Sequence, residues 1–295
     1  MSEIPPPAPP TDPPPGRGPA PAWGGRRPTA LKLAYDGPLF KGWQKQPGLP
    51  TVQAAVEQAL CEVLGTKIEV HGAARTDAGV HAAGQVCHFV RQALGGEPPA
   101  GLAAFASALR ERLPQGIRVL AVALAHPSFH ARSSSTGKRY VYRYSWGDQP
   151  QGADRFHLGA GARPDWLRAA AALEGLASLP ALPGLASPSK DRRPAPPLTG
   201  WTLEQSQHGV GGACELELRA HAFRKHQVRN VAGHLAAVAL GLAEPETLAK
   251  LAQRTRPWMG ATAPPAGLTL VEVVYPPELD PFAQAGPLAP APATP

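Results

Sequence analysis

Proline sets the limits within which this chain can fold. Of its 37 prolines, 11 fall in residues 1–28 and 7 in residues 276–295. A proline donates no backbone hydrogen bond and fixes φ, so segments this rich in it sustain neither a helix nor a central strand. Neither end has an apolar period that could bury a core, and both read as disordered tails. Regular structure is thereby expected within residues 29–275, which is long enough for a substantial core. No run of about 18 uncharged apolar residues occurs, which argues against a membrane protein. The N-terminus carries prolines where a signal peptide needs an apolar stretch, so export is not expected.

Between the tails, apolar periods of about two and 3.6 residues follow one another. Residues 31–35, 67–73, 84–90, 117–124, 138–146, 213–222 and 268–275 read as strands. Residues 52–64, 99–112, 165–177, 225–242 and 245–253 read as helices. Thr51 is a fair N-cap for the first helix and Gly65 a fair stop. In the strand 138–146, Tyr140, Tyr142, Tyr144 and Trp146 share one face, and Arg139 and Arg143 the other. Consecutive strands mixed with helices indicate an α+β fold with mainly antiparallel sheet and flanking helices. Two β-rich subdomains follow, 29–130 and 131–275, without a residue-level repeat between them. Residues 178–199 hold six prolines and the basic group Lys190, Arg192 and Arg193, and read as a mobile loop.

The chain has 29 Lys and Arg against 22 Asp and Glu, a formal net charge of +7. Arginine dominates, and its planar fork suits phosphate and base stacking. Ala, Gly and Pro are also abundant, a bias that a GC-rich genome produces together with Arg. Charge alone therefore divides evenly between a polyanionic partner and base composition. Cys61, Cys87 and Cys214 are far apart with no C-x-x-C, which disfavours a zinc ribbon or a disulfide framework and fits a reducing cytoplasm. His81 and His88 stand seven apart with no second ligand pair. No metal and no cofactor is expected.

The most informative stretch is Arg75-Thr76-Asp77-Ala78-Gly79-Val80-His81, between two strands. Gly79 permits a tight reversal, which would leave Asp77 exposed at a strand end. An aspartate there is an anion at neutral pH, able to act as nucleophile, general base or turn cap.

That loop also resembles the catalytic block of the TruA-type tRNA pseudouridine synthases, which isomerise uridines at positions 38–40 of the anticodon stem-loop. Further blocks match in order: Tyr35-Asp36-Gly37 with Gly42-Trp43-Gln44, Thr51-Val52-Gln53, and Gly84-Gln85-Val86. Then follow Phe129-His130-Ala131-Arg132 with Lys138-Arg139-Tyr140-Val141-Tyr142, Ala222-Phe223 with Val228-Arg229-Asn230, and Gly267-Leu268. Together they span about 33–275. The resemblance implies that Asp77 is the catalytic aspartate, acting as nucleophile, and that Tyr140 packs on the target base. It implies that Arg229 pairs with the aspartate and opposes its neutralisation in a dry pocket, and that Leu268 lines the base pocket. Arg75, beside the nucleophile, holds phosphate or orients the loop; a local ion pair with Asp77 is the plainer alternative. It further implies an active-site cleft between the two subdomains, a tRNA partner and a homodimer. Two departures stand out: Ala74 occupies a position that is usually Gly, and residues 178–188 lack the aromatic segment common in the family.

Two other classes compete. A non-catalytic RNA-binding protein on the same fold would bind without turnover, and intact Asp77, Tyr140 and Arg229 speak against it. A glycosidase usually needs two carboxylates facing one bond. The other acid inside a matched block, Asp36, sits in an Asp-Gly turn signal.

Overall fold

The computed structural model describes residues 27–90, 101–148, 154–189, 195–256, 258 and 260–283. Among the described residues, nine strands and five α-helices make an α+β fold. The chain divides into two compact units, and for the described residues these are 27–136 with 272–283, and 137–271. The boundary thus falls after Thr136 rather than after His130.

The N-terminal unit is built on β1 (Thr29–Tyr35), paired antiparallel with β3 (His81–Phe89) on one side and β4 (Ile117–Leu124) on the other. β2 is a two-residue strand, His71–Gly72, on β3. The expected strand 67–73 is shorter than its apolar pattern suggests because side chains of α1 (Val52–Leu64) occupy its backbone. Glu57 accepts from the Val70 amide at 3.2 Å, and Gln53 donates to the Val70 carbonyl at 3.1 Å. α1 ends at Gly65, which is left-handed as the sequence suggests. α2 (Gly101–Arg112) buries Phe105 and Leu109, and Phe105 meets Phe89 of β3 at a centroid distance of 6.2 Å.

The disordered-tail reading needs correction at both inner boundaries. Arg27 donates to the carbonyls of Leu124 and Ala125, and the Pro28 carbonyl accepts from the Ala125 amide, so the chain is tied down from residue 27. Residues 276–283 form hydrogen-bonded turns, with the amides of Leu279 and Asp280 both on the Pro276 carbonyl. Residues 1–26 and 284–295 lie outside the described residues.

In the C-terminal unit β5 (Gly137–Trp146) pairs antiparallel with β8 (Gly211–Ala220), and β8 with β7 (Gly200–His208). A short β6, Phe156–His157, runs parallel to β5. β9 (Leu268–Val274) begins here beside β5, and its last residues belong to the N-terminal unit. β7 has no counterpart among the expected strands. Among the described residues it pairs with β8 alone, and Thr202, Glu204, Gln205 and Ser206 hide its period among polar residues. The aromatic face of β5 supports α3 (Trp166–Ala177) and α4 (Gln227–Ala239). Tyr144 packs on Trp166 at 4.8 Å and donates its hydroxyl to the Ala232 carbonyl at 2.9 Å. α5 (Glu246–Ala252) completes the helical layer.

The mobile-loop reading of 178–199 fails for its described part. Leu182, Leu185 and Ala195 are fully buried, and the Leu182 amide bonds to the Ala195 carbonyl. Burying those side chains opposes the entropy that proline-rich composition alone would leave to the segment. Lys190, Arg192 and Arg193 fall outside the described residues.

Candidate active site

In the N-terminal unit the motif blocks converge on one loop. Gln85 of β3 is fully buried, and its side chain holds both backbone groups of Ala74: the Ala74 amide donates to Oε1 at 3.2 Å, and Nε2 donates to the Ala74 carbonyl at 2.9 Å. The same Nε2 donates to the Tyr35 hydroxyl at 3.3 Å, and that hydroxyl bonds the Thr76 hydroxyl at 2.7 Å. Burial pushes the Tyr35 phenol up, so it stays neutral and serves as a hydrogen-bonding post. Ala74 does not lie in the left-handed region, so alanine is accommodated there without backbone strain.

From the other side, the Trp43 amide donates to the Thr76 carbonyl at 3.1 Å. The first turn of α1 then anchors that strap, with the amides of Val52 and Gln53 bonded to the carbonyls of Gly42 and Trp43. These donors would otherwise be unsatisfied at a helix start. Gly42 has φ +92, and a Cβ there would lie 2.9 Å from the Thr76 carbonyl oxygen. Glycine at 42 is therefore required twice, by conformation and by close approach. The Asp77 carbonyl closes a turn with the Val80 amide at 3.2 Å, and Gly79 adopts φ +80. The result is a rigid backbone with Asp77 part-exposed at its tip.

Arg75 is exposed beside Asp77 in the loop. Asp36 is also exposed, and its carbonyl accepts from the Leu39 amide in the expected turn. The same unit holds a histidine cluster near the far end of β3. His88 of β3 stacks on His71 at 5.1 Å and meets His130 edge-on at 4.7 Å. His88 Nδ1 accepts from the Ala131 amide at 3.2 Å. Burial, with His130 and His71 beside it, pushes His88 down to about 3, so it is neutral at physiological pH.

In the C-terminal unit the candidate residues sit on different elements. Tyr140 of β5 is buried, edge-on to Phe223 at 5.1 Å. Arg229 lies in the first turn of α4, and its Nε donates to the Ala263 carbonyl at 2.8 Å. The Ala263 amide returns a bond to the Arg229 carbonyl at 3.0 Å. Tyr142, two residues along β5 from Tyr140, donates to the Pro264 carbonyl at 2.8 Å. Burial raises the Tyr142 phenol, and the nearby Arg229 charge opposes that rise. Leu268, also buried, starts β9 immediately after this stretch. Arg229 and Leu268 are thus joined through residues 263–268, which Tyr142 of β5 braces. Sequence reasoning placed Tyr142 on a common face with Tyr140 but did not identify it as that brace.

The arginines on the other face of β5 are ion-paired. Arg139 pairs with Glu217 at 2.7 Å, diagonally across on β8, and Arg143 with Glu215 at 2.7 Å, directly across. Among the described residues no group of three or more His, Cys, Asp or Glu is placed to hold a metal ion, and no helix is long and apolar enough to cross a membrane.

The family model for tRNA pseudouridine synthase matches residues 33–132 and 188–276. Asp77, Arg75, Arg229 and Leu268 lie inside the matched stretches, and Tyr140 between them. The tRNA pseudouridine synthase A of Idiomarina loihiensis is 35% identical over 266 residues, covering 88% of this chain and 97% of that protein. That of Aeromonas salmonicida is 36% identical over 258 residues, covering 85% and 91%. That of Photorhabdus laumondii is 34% identical over 268 residues, covering 88% and 96%.

Proposed function

The chain belongs to the tRNA pseudouridine synthase family, and from that premise we propose that it isomerises uridines 38–40 in the anticodon stem-loop of tRNA. The reaction breaks the N1–C1′ bond, turns the uracil and joins it to C1′ through C5. N1 gains a proton as C5 loses one, so the composition of the nucleotide is unchanged. Asp77 supplies the carboxylate, whether it bonds to C1′ or to the base or assists elimination within the sugar. The target nucleotide must leave its stack before a side chain can reach it, which costs a few kcal/mol. Tyr140 stacks on the freed base and offsets about 1–3 kcal/mol of that. Leu268 gives the base an apolar wall. Arg229 supplies the positive charge that a carboxylate needs in a site from which water is excluded, and its place in the first turn of α4 adds the favourable end of the helix dipole. Arg75, exposed beside Asp77, takes a backbone phosphate. The working form is a homodimer in the cytoplasm.

The observation that supports this reading most is the loop Arg75–His81, a carboxylate carried on a backbone held by Gln85, Tyr35 and Trp43. The test uses tRNA tritiated at uridine C5. Forming the C5–C1′ bond expels that hydrogen, so label is expected in water in step with pseudouridine mapped in the anticodon stem-loop. Tight tRNA binding without label release would leave a non-catalytic RNA-binding protein. Release with pseudouridine mapped elsewhere would displace the site assignment alone.

A further inference from the structure

We infer that Asn230 and Thr262 are positioning residues for the Arg229 guanidinium, acting through the segment that carries the Ala263 carbonyl. The inference rests on the catalytic reading of Arg229 for its functional consequence but not for its geometry. Asn230 follows Arg229 in α4 and is fully buried. Its Nδ2 donates to the Leu185 carbonyl at 2.7 Å and to the Ser187 hydroxyl at 3.3 Å, while its Oδ1 accepts from the Thr262 hydroxyl at 2.7 Å. One amide therefore ties the start of α4 to two segments remote in sequence. Thr262 is next to Ala263, whose carbonyl takes the Nε–H of Arg229 and whose amide bonds the Arg229 carbonyl.

Close approach is built in. A Cβ at Gly233, one turn further along α4, would lie 2.6 Å from the Ala261 carbonyl oxygen. The helix thus accepts the backbone of 261–263 against its surface where any larger residue would push it off. At the start of α4, His226 has φ 61, a left-handed conformation uncommon for a residue with a side chain. Its Nδ1 lies 3.1 Å from the same Ser187 hydroxyl that Asn230 contacts. Such a conformation persists where the surroundings over-determine it, and here Ser187, also bonded through its amide to the Lys225 carbonyl, is part of those surroundings.

The consequence for Arg229 is directional. A guanidinium offers five donors in a fixed plane. With Nε engaged by Ala263, a carboxylate or phosphate is met end-on, by the two terminal amino groups. Moving the Ala263 carbonyl would remove the bond that fixes Nε and disturb that orientation. Misplacement by about 1 Å can cost about a hundredfold in rate.

The test compares Thr262→Val, which keeps the shape and removes the hydroxyl, with Thr262→Ser, which keeps the hydroxyl. Both are made in the native and in the Arg229→Met backgrounds, and each is assayed by tritium release per folded enzyme. The expectation for Thr262→Val is a fall in kcat of about ten- to a hundredfold with KM little changed, recovery in Thr262→Ser, and no further loss once Arg229 is Met. Asn230→Ala should behave like Thr262→Val if it folds. In parallel, ¹⁵N-arginine spectra follow the Arg229 Nε–H, expected to be protected from solvent exchange in the native enzyme and exposed in Thr262→Val. An unchanged Nε–H signal, or an equal kcat loss in both backgrounds, would overturn the inference. Should Arg229→Met itself leave kcat intact while the Nε–H signal still responds to Thr262→Val, the positioning stands and the catalytic reading of Arg229 fails.

Discussion

In the N-terminal unit Asp77 is placed by one contiguous loop, gripped through its backbone by Gln85 and Trp43 and through the Thr76 hydroxyl by Tyr35. In the C-terminal unit Arg229 is placed through its side chain, by a carbonyl whose own position depends on Asn230, Thr262 and Tyr142 on separate elements. The bonds that hold the loop fall on Ala74 and Thr76, ahead of Asp77 in the chain. Side-chain bonds make the orientation of Arg229 a property of the whole cluster. A point change at Asp77 should therefore act on chemistry, and a change around Arg229 on geometry.

The sharpest way to break that contrast is Asp77→Asn, which keeps size and hydrogen-bonding shape but removes the charge. Tritium release should fall to background, many powers of ten at about 1.4 kcal/mol each. Binding of tRNA should persist or tighten slightly, since an anion facing a polyanion has been neutralised. A folded Asp77→Asn enzyme turning over within about tenfold of wild type would reduce the loop to scaffolding.

A scaffold variant should show the converse. Gln85→Leu leaves the Ala74 amide and carbonyl, all in a buried setting, without their side-chain partner. Each such group costs about 1–3 kcal/mol, so thermal unfolding should shift down strongly with activity following the loss of loop geometry. An unchanged melting temperature would mean that the grip on the loop lies elsewhere.

Acid should act first on the N-terminal unit. His88 is held down to about 3 when folded, against about 6.5 when unfolded. Between those values the unfolded chain binds a proton that the folded chain refuses, so this contribution to stability is complete above about pH 6.5 and is lost as pH falls. From pH 7.5 to 5.5 the loss should be about 1.4 kcal/mol. His88→Gln should flatten that part of the profile in denaturant titrations, whatever it does to absolute stability. A wild-type profile already flat over this range would contradict the buried, neutral histidine.

The smallest effect sharpens the comparison at the surface. Arg75 is exposed, whereas Arg143 is paired with Glu215. Arg75→Gln should lower the slope of log affinity for tRNA against log salt by about 0.7–0.9, one phosphate's worth, and Arg143→Gln should leave the slope unchanged. Equal slopes for the two variants would mean that Arg75 is not a phosphate contact.

By itself the sequence determined the elements whose burial repeats along the chain. Helix α1 spans Val52–Leu64 and strand β4 Ile117–Leu124 as their apolar periods indicate. It also determined the α+β class and the position of Asp77, because the loop's turn residues are contiguous. Tertiary structure alone decided the length of β2, whose neighbouring backbone is taken by Gln53 and Glu57 of a helix, and the existence of the polar edge strand β7. It decided that residues 178–189 are packed rather than mobile, since two leucines, Leu182 and Leu185, among prolines do not reveal what will cover them. It decided, too, that Arg139 and Arg143 face acids rather than solvent. The roles of Asn230, Thr262 and Gln85 were hidden for the same reason. Periodicity records whether a residue is buried, whereas the partner that satisfies a buried polar group comes from wherever the fold brings one, here 32 residues away for Thr262 and Asn230.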